Sequence, residues 1–356
     1  MPILIAGGYG RPPTPATAFP VVVPMKKAPD VLAVSRNMTV IAGGLTAPPT
    51  LINPTVITGD PTGGSPYTFG NTEDVRFDVG DVEVNGAIKI TGGRNIRIIG
   101  GKWLYTGAAP KTNAPDAAII KWDPADVGGV MFLEGLHLDS NGVYMDHFAL
   151  FSFGFAAHSV VIQNCYSEGI AGKASGVHAD FIECFPGIDK ITIEQTTFVT
   201  AHAGVFLPYH GSNEIGGKNV KWGPKILNLT RVNARVDEPI RAADRPNTDD
   251  LPTFMIYLQD GKSRGVVHGF VHDECNLTEV YCETRAGRSW WQMVFPTPGA
   301  AVWQSILHQP GGGLAEYVTF PAGMNTTGRV TQGPPPDGDF VNPLDVGRFY
   351  SSPWPI

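Results

Sequence analysis

Five short apolar segments, each ending in a polar turn, recur at a nearly constant interval along the middle of the chain. They are NIRIIGGKWLYT (95–106), GVMFLEGLHLDS (129–140), SVVIQNCYSEG (159–169), KITIEQTTFVT (190–200) and KILNLTRVNARV (225–236). Their first residues are 34, 30, 31 and 35 positions apart. A unit of this length cannot bury its own apolar face, so each repeat has to be covered by the next one. The sequence therefore predicts a stack of similar units.

The residues of these repeats predict strands and not helices. SVVIQN, KITIEQ and KILNLT are short and rich in β-formers, whereas a helical repeat needs apolar residues at i, i+3 and i+4 over ten or more positions. A propeller blade needs about 40 residues and hairpin turns. Glycine (43) and proline (31) make up about a fifth of the 356 residues, which suits many tight turns. Short parallel strands fit a period near 30 residues better than either alternative.

The segments NIRIIGG, SVVIQNC and DKITIEQTTF resemble the rungs of the right-handed parallel β-helix of pectate-lyase-like proteins and many bacteriophage tailspikes. The resemblance covers about half of the chain, from Val75 to Asp260. It implies an all-β right-handed parallel β-helix with an extended proline-rich N-terminal arm and a β-rich C-terminal cap. It does not imply one activity, because this architecture is shared by lyases, hydrolases and binding spikes.

Three regions are expected. Residues 1–70 carry twelve prolines and predict an extended arm, which either covers the first rung or anchors the protein in a larger assembly. Residues 71–284 are expected to form the β-helix. Residues 285–356 are expected to cap its open end or to mediate oligomerisation, although the tryptophans in this region could instead stack on sugar rings.

Charge and cysteine content exclude several classes of protein. The net charge of -7 provides no basic surface for nucleic acid. The N-terminus, MPILIAGGYGRPP, has neither the basic region of a signal peptide nor the length of a membrane span. The four cysteines form no CxxC pair, so a disulfide scaffold or a zinc module is not expected. No metal or cofactor is predicted.

Three similar stretches begin with histidine: HFALF (147–151), HADFI (178–182) and HAGVF (202–206). Aligned on neighbouring parallel strands about 4.8 Å apart, they predict a ladder of histidines beside Asp146 and Asp180. Such a ladder would form a polar groove. The alternative is a column of partly exposed polar residues at a strand edge.

The most site-like segment is GVHADFIECF (176–185). His178 and Asp180 are two positions apart and share a strand face, where the carboxylate can orient the imidazole as a base, while Glu183 points to the other side unless a bulge intervenes. Two carboxylates on nearby rungs would suit glycoside hydrolysis, with Asp146, Glu168, Asp180 and Glu183 as candidates. A lyase would need a base such as lysine, histidine or tyrosine. The catalytic candidates are His178, Asp180, Glu183 and Lys173; the glycan-binding candidates are His147, Asp146, His202, Tyr209, His210, Trp290 and Trp291.

Enzyme signatures of the resembled families are missing. RAADRP (241–246) does not match the Arg-x-Pro-x-x-Arg stretch of pectate lyases, and NTDD (247–250) is not followed by the other elements of polygalacturonases. The function expected from the resemblance is therefore a virion spike or fibre protein of a bacteriophage or phage-like particle that binds host cell-surface polysaccharide, with depolymerising activity left open. The alternatives are a polysaccharide lyase or glycoside hydrolase of the pectate-lyase-like class, and a purely structural virion component.

The spike hypothesis carries expectations about location and partners. The protein would be made in the cytoplasm without a signal peptide and would then reside in the virion. It would form a homotrimer, contact other virion proteins through the N-terminal arm, and neither bind nucleic acid nor insert into a membrane.

Overall fold

A computed structural model describes residues 45–107, 118–124, 127–150, 157–171, 179–184, 188–201, 203–207, 224, 226–237, 254–258, 274–283, 292–296, 302–307, 316–319, 325–327 and 330–354. All of these residues belong to one compact unit, Met38–Ile356. They form strands and two short 3-10 helices, Pro61–Gly64 and Gly347–Phe349, and none of them lies in an α-helix. The prediction of an all-β protein is confirmed for this part of the chain. No helix in these ranges is long and apolar enough to span a membrane.

The strands are numbered in chain order. They are β1 (Thr55–Thr58), β2 (Tyr67–Thr68), β3 (Val75–Asn85), β4 (Ile88–Thr91), β5 (Asn95–Leu104), β6 (Ala118–Asp123), β7 (Val130–Glu134), β8 (His137–Asp139), β9 (Asp146–Leu150), β10 (His158–Gln163), β11 (Tyr166–Ile170), β12 (Asp180–Cys184), β13 (Ile188–Thr200), β14 (Ala203–Leu207), β15 (Ile226–Val236), β16 (Phe254–Leu258), β17 (Glu274–Cys282), β18 (Gln292–Pro296), β19 (Val302–Leu307), β20 (Glu316–Thr319), β21 (Asn325–Thr327) and β22 (Val330–Gln332).

Two parallel sheets contain most of these strands. The larger sheet has twelve strands in the order β1-β3-β5-β7-β10-β13-β15-β17-β21, with β8, β11 and β22 beside this path. The smaller sheet has seven, in the order β2-β4-β6-β9-β12-β14-β16. A third sheet, β18-β19-β20, is antiparallel.

From β1 to β17 the chain visits the two parallel sheets in turn. Each strand or strand pair of the larger sheet is followed by one strand of the smaller sheet, and both sheets grow in the same direction along the chain. Parallel neighbours cannot be joined by a hairpin, so each returning strand needs a crossover connection. Here the strand of the other sheet is part of that crossover.

The five sequence repeats coincide with successive steps in the larger sheet. In the register of the sheet, Asn95 pairs with Val130, Val130 with Ser159, Ser159 with Lys190, and Lys190 with Ile226. The predicted repeat starts at 129 and 225 each lie one residue before their paired position. The prediction that these segments are successive neighbouring parallel strands is therefore confirmed.

The larger sheet bends at residues with a positive φ angle. Each successive step has at least one: Gly80 (φ 64°), Gly100 and Gly101 (69° and 83°), Gly135 (69°), Asn164 (51°), Gln195 (42°), Arg231 (53°) and Glu279 (51°). A left-handed residue turns the chain locally, so the strand continues as a second leg at an angle to the first. Strands β7 and β8, and likewise β10 and β11, are the two legs around such a bend.

The two parallel sheets share one apolar core. Its largest fully buried side chains include Trp103, Trp122, Phe148 and Phe181. The ring of Phe181, on the smaller sheet, stacks on that of Phe198, on the larger sheet, with centroids 4.6 Å apart. The apolar inner faces of the two sheets therefore face each other.

Both flanking regions contact the parallel sheets. Strands β1 and β2, within the range 1–70 assigned to the arm, are edge strands of the two parallel sheets, where β1 pairs with β3 and β2 pairs with β4. Residues 333–354, within the range assigned to a cap, lie across the outer face of the larger sheet. Residues 1–44 lie outside the described part of the chain.

Candidate functional site

Asp146, Asp180 and Glu183 come together on two neighbouring strands of the smaller sheet; we call them the Asp146 cluster. Ile182 on β12 pairs with Phe148 on β9, which places Asp180 beside Asp146. The backbone N–H of Asp180 donates to Oδ1 of Asp146 at 2.8 Å. The side chain of Glu183 is hydrogen-bonded to the carboxyl group of Asp146. Asp146 is thus in contact with two other predicted site residues.

A break in the alternation of β12 explains this grouping. Phe181 and Ile182 are consecutive, yet both belong to the apolar core. Asp180 and Glu183, on either side of this pair, therefore fall on the outer side of the sheet, whereas Cys184 is in the core. Residues three positions apart lie on opposite faces of a regular strand, so Glu183 shares a face with Asp180 only because the alternation is broken.

The Asp146 cluster is held by a shared proton. Two carboxyl groups can form a hydrogen bond only if one of them is protonated. Burial, and next the charge of Asp180, raise the pKa of Asp146 well above its ordinary value. Asp146 and Glu183 therefore share one proton in their hydrogen bond. All three side chains are at least 90% buried, which leaves little surface for a ligand.

The predicted histidine ladder is wrong for strands β9 and β12. The ladder required residues 31 positions apart in sequence, such as 147 and 178, to be paired on β9 and β12. The register instead pairs Phe148 with Ile182, which are 34 positions apart. Phe181 therefore takes the position next to His147. His178 itself lies outside the described residues.

His147 is instead an internal group. Its Nε2 lies 3.0 Å from Oγ of Ser140 and its Nδ1 lies 2.6 Å from Oγ of Ser167. The Ser140 hydroxyl donates to the carbonyl oxygen of Gly169 at 2.7 Å, so it accepts from Nε2–H and leaves Nδ1 to accept from Ser167. Burial, with a smaller contribution from His137, lowers the pKa of His147 to about 3. The ring is neutral and has no exposed surface.

A second polar group lies on the outer face of the larger sheet, on the second legs of its strands. It consists of Lys102, His137, Asp139 and Glu168, which we call the Glu168 cluster. In the register, Lys102 pairs with His137 and Asp139 pairs with Glu168. His137 Nε2 lies 2.9 Å from Glu168 Oε1. The Glu168 side chain is 35% exposed, so solvent and a ligand can reach it.

Burial, and also the neighbouring charge of Glu168, raise the pKa of Asp139. The N–H of Asn141 donates to Oδ1 of Asp139 at 2.7 Å and fixes its orientation. The cluster therefore pairs one carboxyl group whose pKa is raised with a more exposed one. The ring of Tyr166 packs edge-on against His137 with centroids 5.4 Å apart.

Sequence reasoning considered Glu168 for hydrolysis but missed His137 and Asp139. The signal was present, because GLHLDS and CYSEG occupy the same part of two successive repeats and each carries polar residues two positions apart. Comparing the second halves of the repeats would have placed Asp139 beside Glu168.

The remaining predicted residues are not placed by the structure. Lys173, His178, His202, Tyr209, His210, Trp290 and Trp291 lie outside the described residues. Within the described ranges, no group of three or more histidine, cysteine, aspartate or glutamate side chains is arranged to hold a metal ion.

Both clusters contain paired carboxyl groups, and their geometry limits their chemistry. Glycoside hydrolases hold two carboxyl groups about 5–5.5 Å apart when they retain configuration and about 6.5–9.5 Å apart when they invert it. Asp146 and Glu183 are in direct hydrogen-bond contact, which is too close for either arrangement. In the Glu168 cluster, Asp139 and Glu168 come from adjacent strands about 4.8 Å apart and are not bonded to each other in this way.

Comparison of the chain with protein-family models, with curated proteins and with solved structures found no match.

Proposed function

We propose that this protein is a right-handed parallel β-helix that serves as a spike or fibre protein of a bacteriophage or phage-like particle and binds a host cell-surface polysaccharide. The passage of the chain between two parallel sheets that grow in one direction supports the β-helix. The repeats that resemble tailspike rungs and the proline-rich residues 1–70 support the spike role.

The observation that carries glycan binding is the composition and exposure of the Glu168 cluster. Sugar hydroxyl groups both donate and accept hydrogen bonds, and the cluster offers both functions at one place. Lys102 supplies a donor, while the carboxylate of Glu168 accepts. His137 holds Glu168 in a fixed position, so little side-chain entropy is lost when a ligand binds. A polysaccharide running along the outer face would meet this cluster.

Glycoside hydrolase is the second candidate function, and the pair of Asp139 and Glu168 favours it. A general acid needs a raised pKa, which burial and Glu168 provide for Asp139. Glu168, which is more exposed, would act as the carboxylate partner. A polyuronate would bring further negative charge to two carboxyl groups, so a neutral sugar chain suits this site better than the substrate of a lyase.

Glycan-array binding of the purified protein tests the proposal. The wild-type protein is expected to bind a defined set of glycans, and Glu168→Gln should weaken that binding at least about tenfold, the effect of losing a charged hydrogen bond. Glu274→Gln, an exposed glutamate on β17 of the same sheet, serves as the matched control and should bind as the wild type does.

Two outcomes contradict the proposal at different levels. If no glycan binds to the wild-type protein, the binding function is wrong and a structural virion role takes its place. If glycans bind but Glu168→Gln binds them equally well, the site lies elsewhere. Release of reducing ends would identify a hydrolase, and release of products absorbing in the ultraviolet would identify a lyase.

A further inference from the structure

The C-terminal residues 333–354, which we call the strap, cross the outer face of the larger sheet. The strap begins at its late strands, where the N–H of Gly333 donates to the carbonyl oxygen of Cys282 on β17 at 2.8 Å. One strand further back, Asp339 accepts hydrogen bonds from Asn233 at 2.7 Å and from Arg235 at 2.8 Å, both on β15. Along its sequence the strap therefore passes from the later strands of the larger sheet, beginning at β17, to the earlier ones.

The middle of the strap combines apolar and backbone contacts. The N–H of Val341 donates to Oγ1 of Thr197 on β13 at 3.3 Å. Val341 and Val346 are buried and pack with Tyr166 of β11 in an apolar cluster separate from the main core. The N–H of Gly347 donates to the carbonyl oxygen of Gly135, at the bend between β7 and β8, at 2.8 Å.

The end of the strap is anchored by Tyr350. Its hydroxyl group donates to Oε1 of Glu134 at 2.9 Å and accepts from Nδ2 of Asn164 at 2.8 Å. Ser352 donates to the other oxygen of Glu134 at 2.8 Å. The ring lies against the backbone of Gly135, where a Cβ atom would come within 1.9 Å of the ring, so only glycine admits it.

The surface that receives the strap is a composite of many steps of the sheet. From Cys282 the contacts continue through β15, β13, β11 and β7, and Nε of Arg348 reaches the carbonyl oxygen of Asp81 on β3 at 2.8 Å. These partners become neighbours only after all the intervening strands have paired. No single step offers more than a few of the contacts, whereas ordering a segment of this length costs conformational entropy at every residue.

We propose that the strap docks and releases as one unit, and that it clamps β3 through β17 of the larger sheet together. Partial docking would order strap residues without gaining the contacts at the far end. A contact removed at one end of the strap should therefore loosen the other end.

Hydrogen exchange of the full-length protein, read at the backbone amides of Val341 and Gly347, tests this coupling. Asp339→Ala removes the contacts with β15, and Tyr350→Ala removes the anchor at Glu134 and Asn164. Each variant alone is expected to speed exchange at both amides by about tenfold or more, because local opening governs exchange. Faster exchange only beside the substituted residue would overturn the proposal.

Two further variants complete the test. Tyr350→Phe keeps the ring and so preserves the fold even if the alanine variant does not fold; a smaller acceleration shared by both amides is expected, and one confined to Gly347 would contradict docking as a unit. Asp123→Ala breaks ion pairs on the smaller sheet, with Lys89 at 3.3 Å and Lys121 at 3.8 Å, and should leave both strap amides at wild-type rates. If Asp123→Ala accelerates them equally, the strap only follows global unfolding and the proposal is wrong.

Discussion

The hydroxyl group of Tyr350 donates a hydrogen bond of 2.9 Å to Oε1 of Glu134, a residue 216 positions earlier in the chain. Burial and the charge of Glu134 raise the pKa of Tyr350, so this hydroxyl remains a donor. The contact depends on the absence of a side chain at the next residue, Gly135. Stability and strap docking should therefore both respond to a single added methyl group there.

Gly135→Ala should lower the free energy of unfolding in two ways. The position has φ +69°, where alanine is strained, and the new Cβ would collide with the ring of Tyr350. Gly80→Ala is the matched control, because Gly80 has φ +64° and nothing within 4 Å of the added atom. Both variants should lose about 1–2 kcal/mol from backbone strain, and Gly135→Ala about 1–3 kcal/mol more from overpacking, as measured by urea denaturation. Equal losses would mean that Tyr350 moves aside freely.

His147 should make the protein less stable in acid. Its pKa is lowered to about 3 by burial, against about 6.5 for an imidazole in an unfolded chain. The unfolded state therefore binds the extra proton, and stability that is fully present above about pH 6.5 falls by about 1.4 kcal/mol per unit as the pH drops towards the folded value. His147→Gln can still bond both serines but does not titrate. Between pH 7 and pH 5 the wild type should lose about 2 kcal/mol more than this variant; an equal loss would show that the ring already titrates in the folded protein.

Asp146 should act in the opposite direction. Because its pKa is raised in the folded state, the stability that it contributes is present in acid and is lost as the pH rises through the folded pKa. In Asp146→Asn the amide oxygen can accept from the N–H of Asp180 and the amide NH₂ can donate to Glu183. The amide does not titrate. Urea denaturation should show a smaller loss of stability between pH 5 and pH 8 for this variant than for the wild type. Asp81→Asn, at an exposed position on β3, is the control and should keep the wild-type dependence.

Asp139→Asn separates binding from hydrolysis at the Glu168 cluster. The amide preserves hydrogen bonding to a sugar but cannot supply a proton, and loss of general-acid catalysis costs about 10²–10⁴-fold in rate. If the wild-type protein releases reducing ends, this variant should retain glycan binding and lose most of the release. Undiminished release would remove Asp139 from the reaction.

The regular part of the fold could be predicted from the sequence because it rests on local patterns. The β-branched segments beginning at Asn95, Ser159 and Lys190 start at positions that are paired in the sheet. Alternating apolar residues are enough to define such strands. The bends were harder to predict from the sequence. Their left-handed residues include Asn164 but also Gln195 and Arg231, which have no marked preference for that conformation.

The histidine ladder failed for a physical reason. Aligning HFALF with HADFI matched letters, whereas the register of parallel strands is set by the length of each crossover and by irregularities within the strand. The register pairs Ile182 with Phe148, so Phe181 takes the position beside His147, and the backbone N–H of Asp180 meets the carboxyl group of Asp146. The strap could not be predicted either, because TQGPPPDGDF has no periodicity and its partners are distant in sequence.

The direction of the strap has a consequence for synthesis of the protein. Arg348 and Asp81 are 267 residues apart, so at about 5–20 residues per second the ribosome needs roughly 10–60 s to produce the second partner after the first. Until the strap has been synthesised, the side chains of Glu134, Asn164 and Tyr166 are not covered by it. Nascent chains of this protein should therefore present a temporary polar and aromatic surface to chaperones, which is lost from the finished molecule.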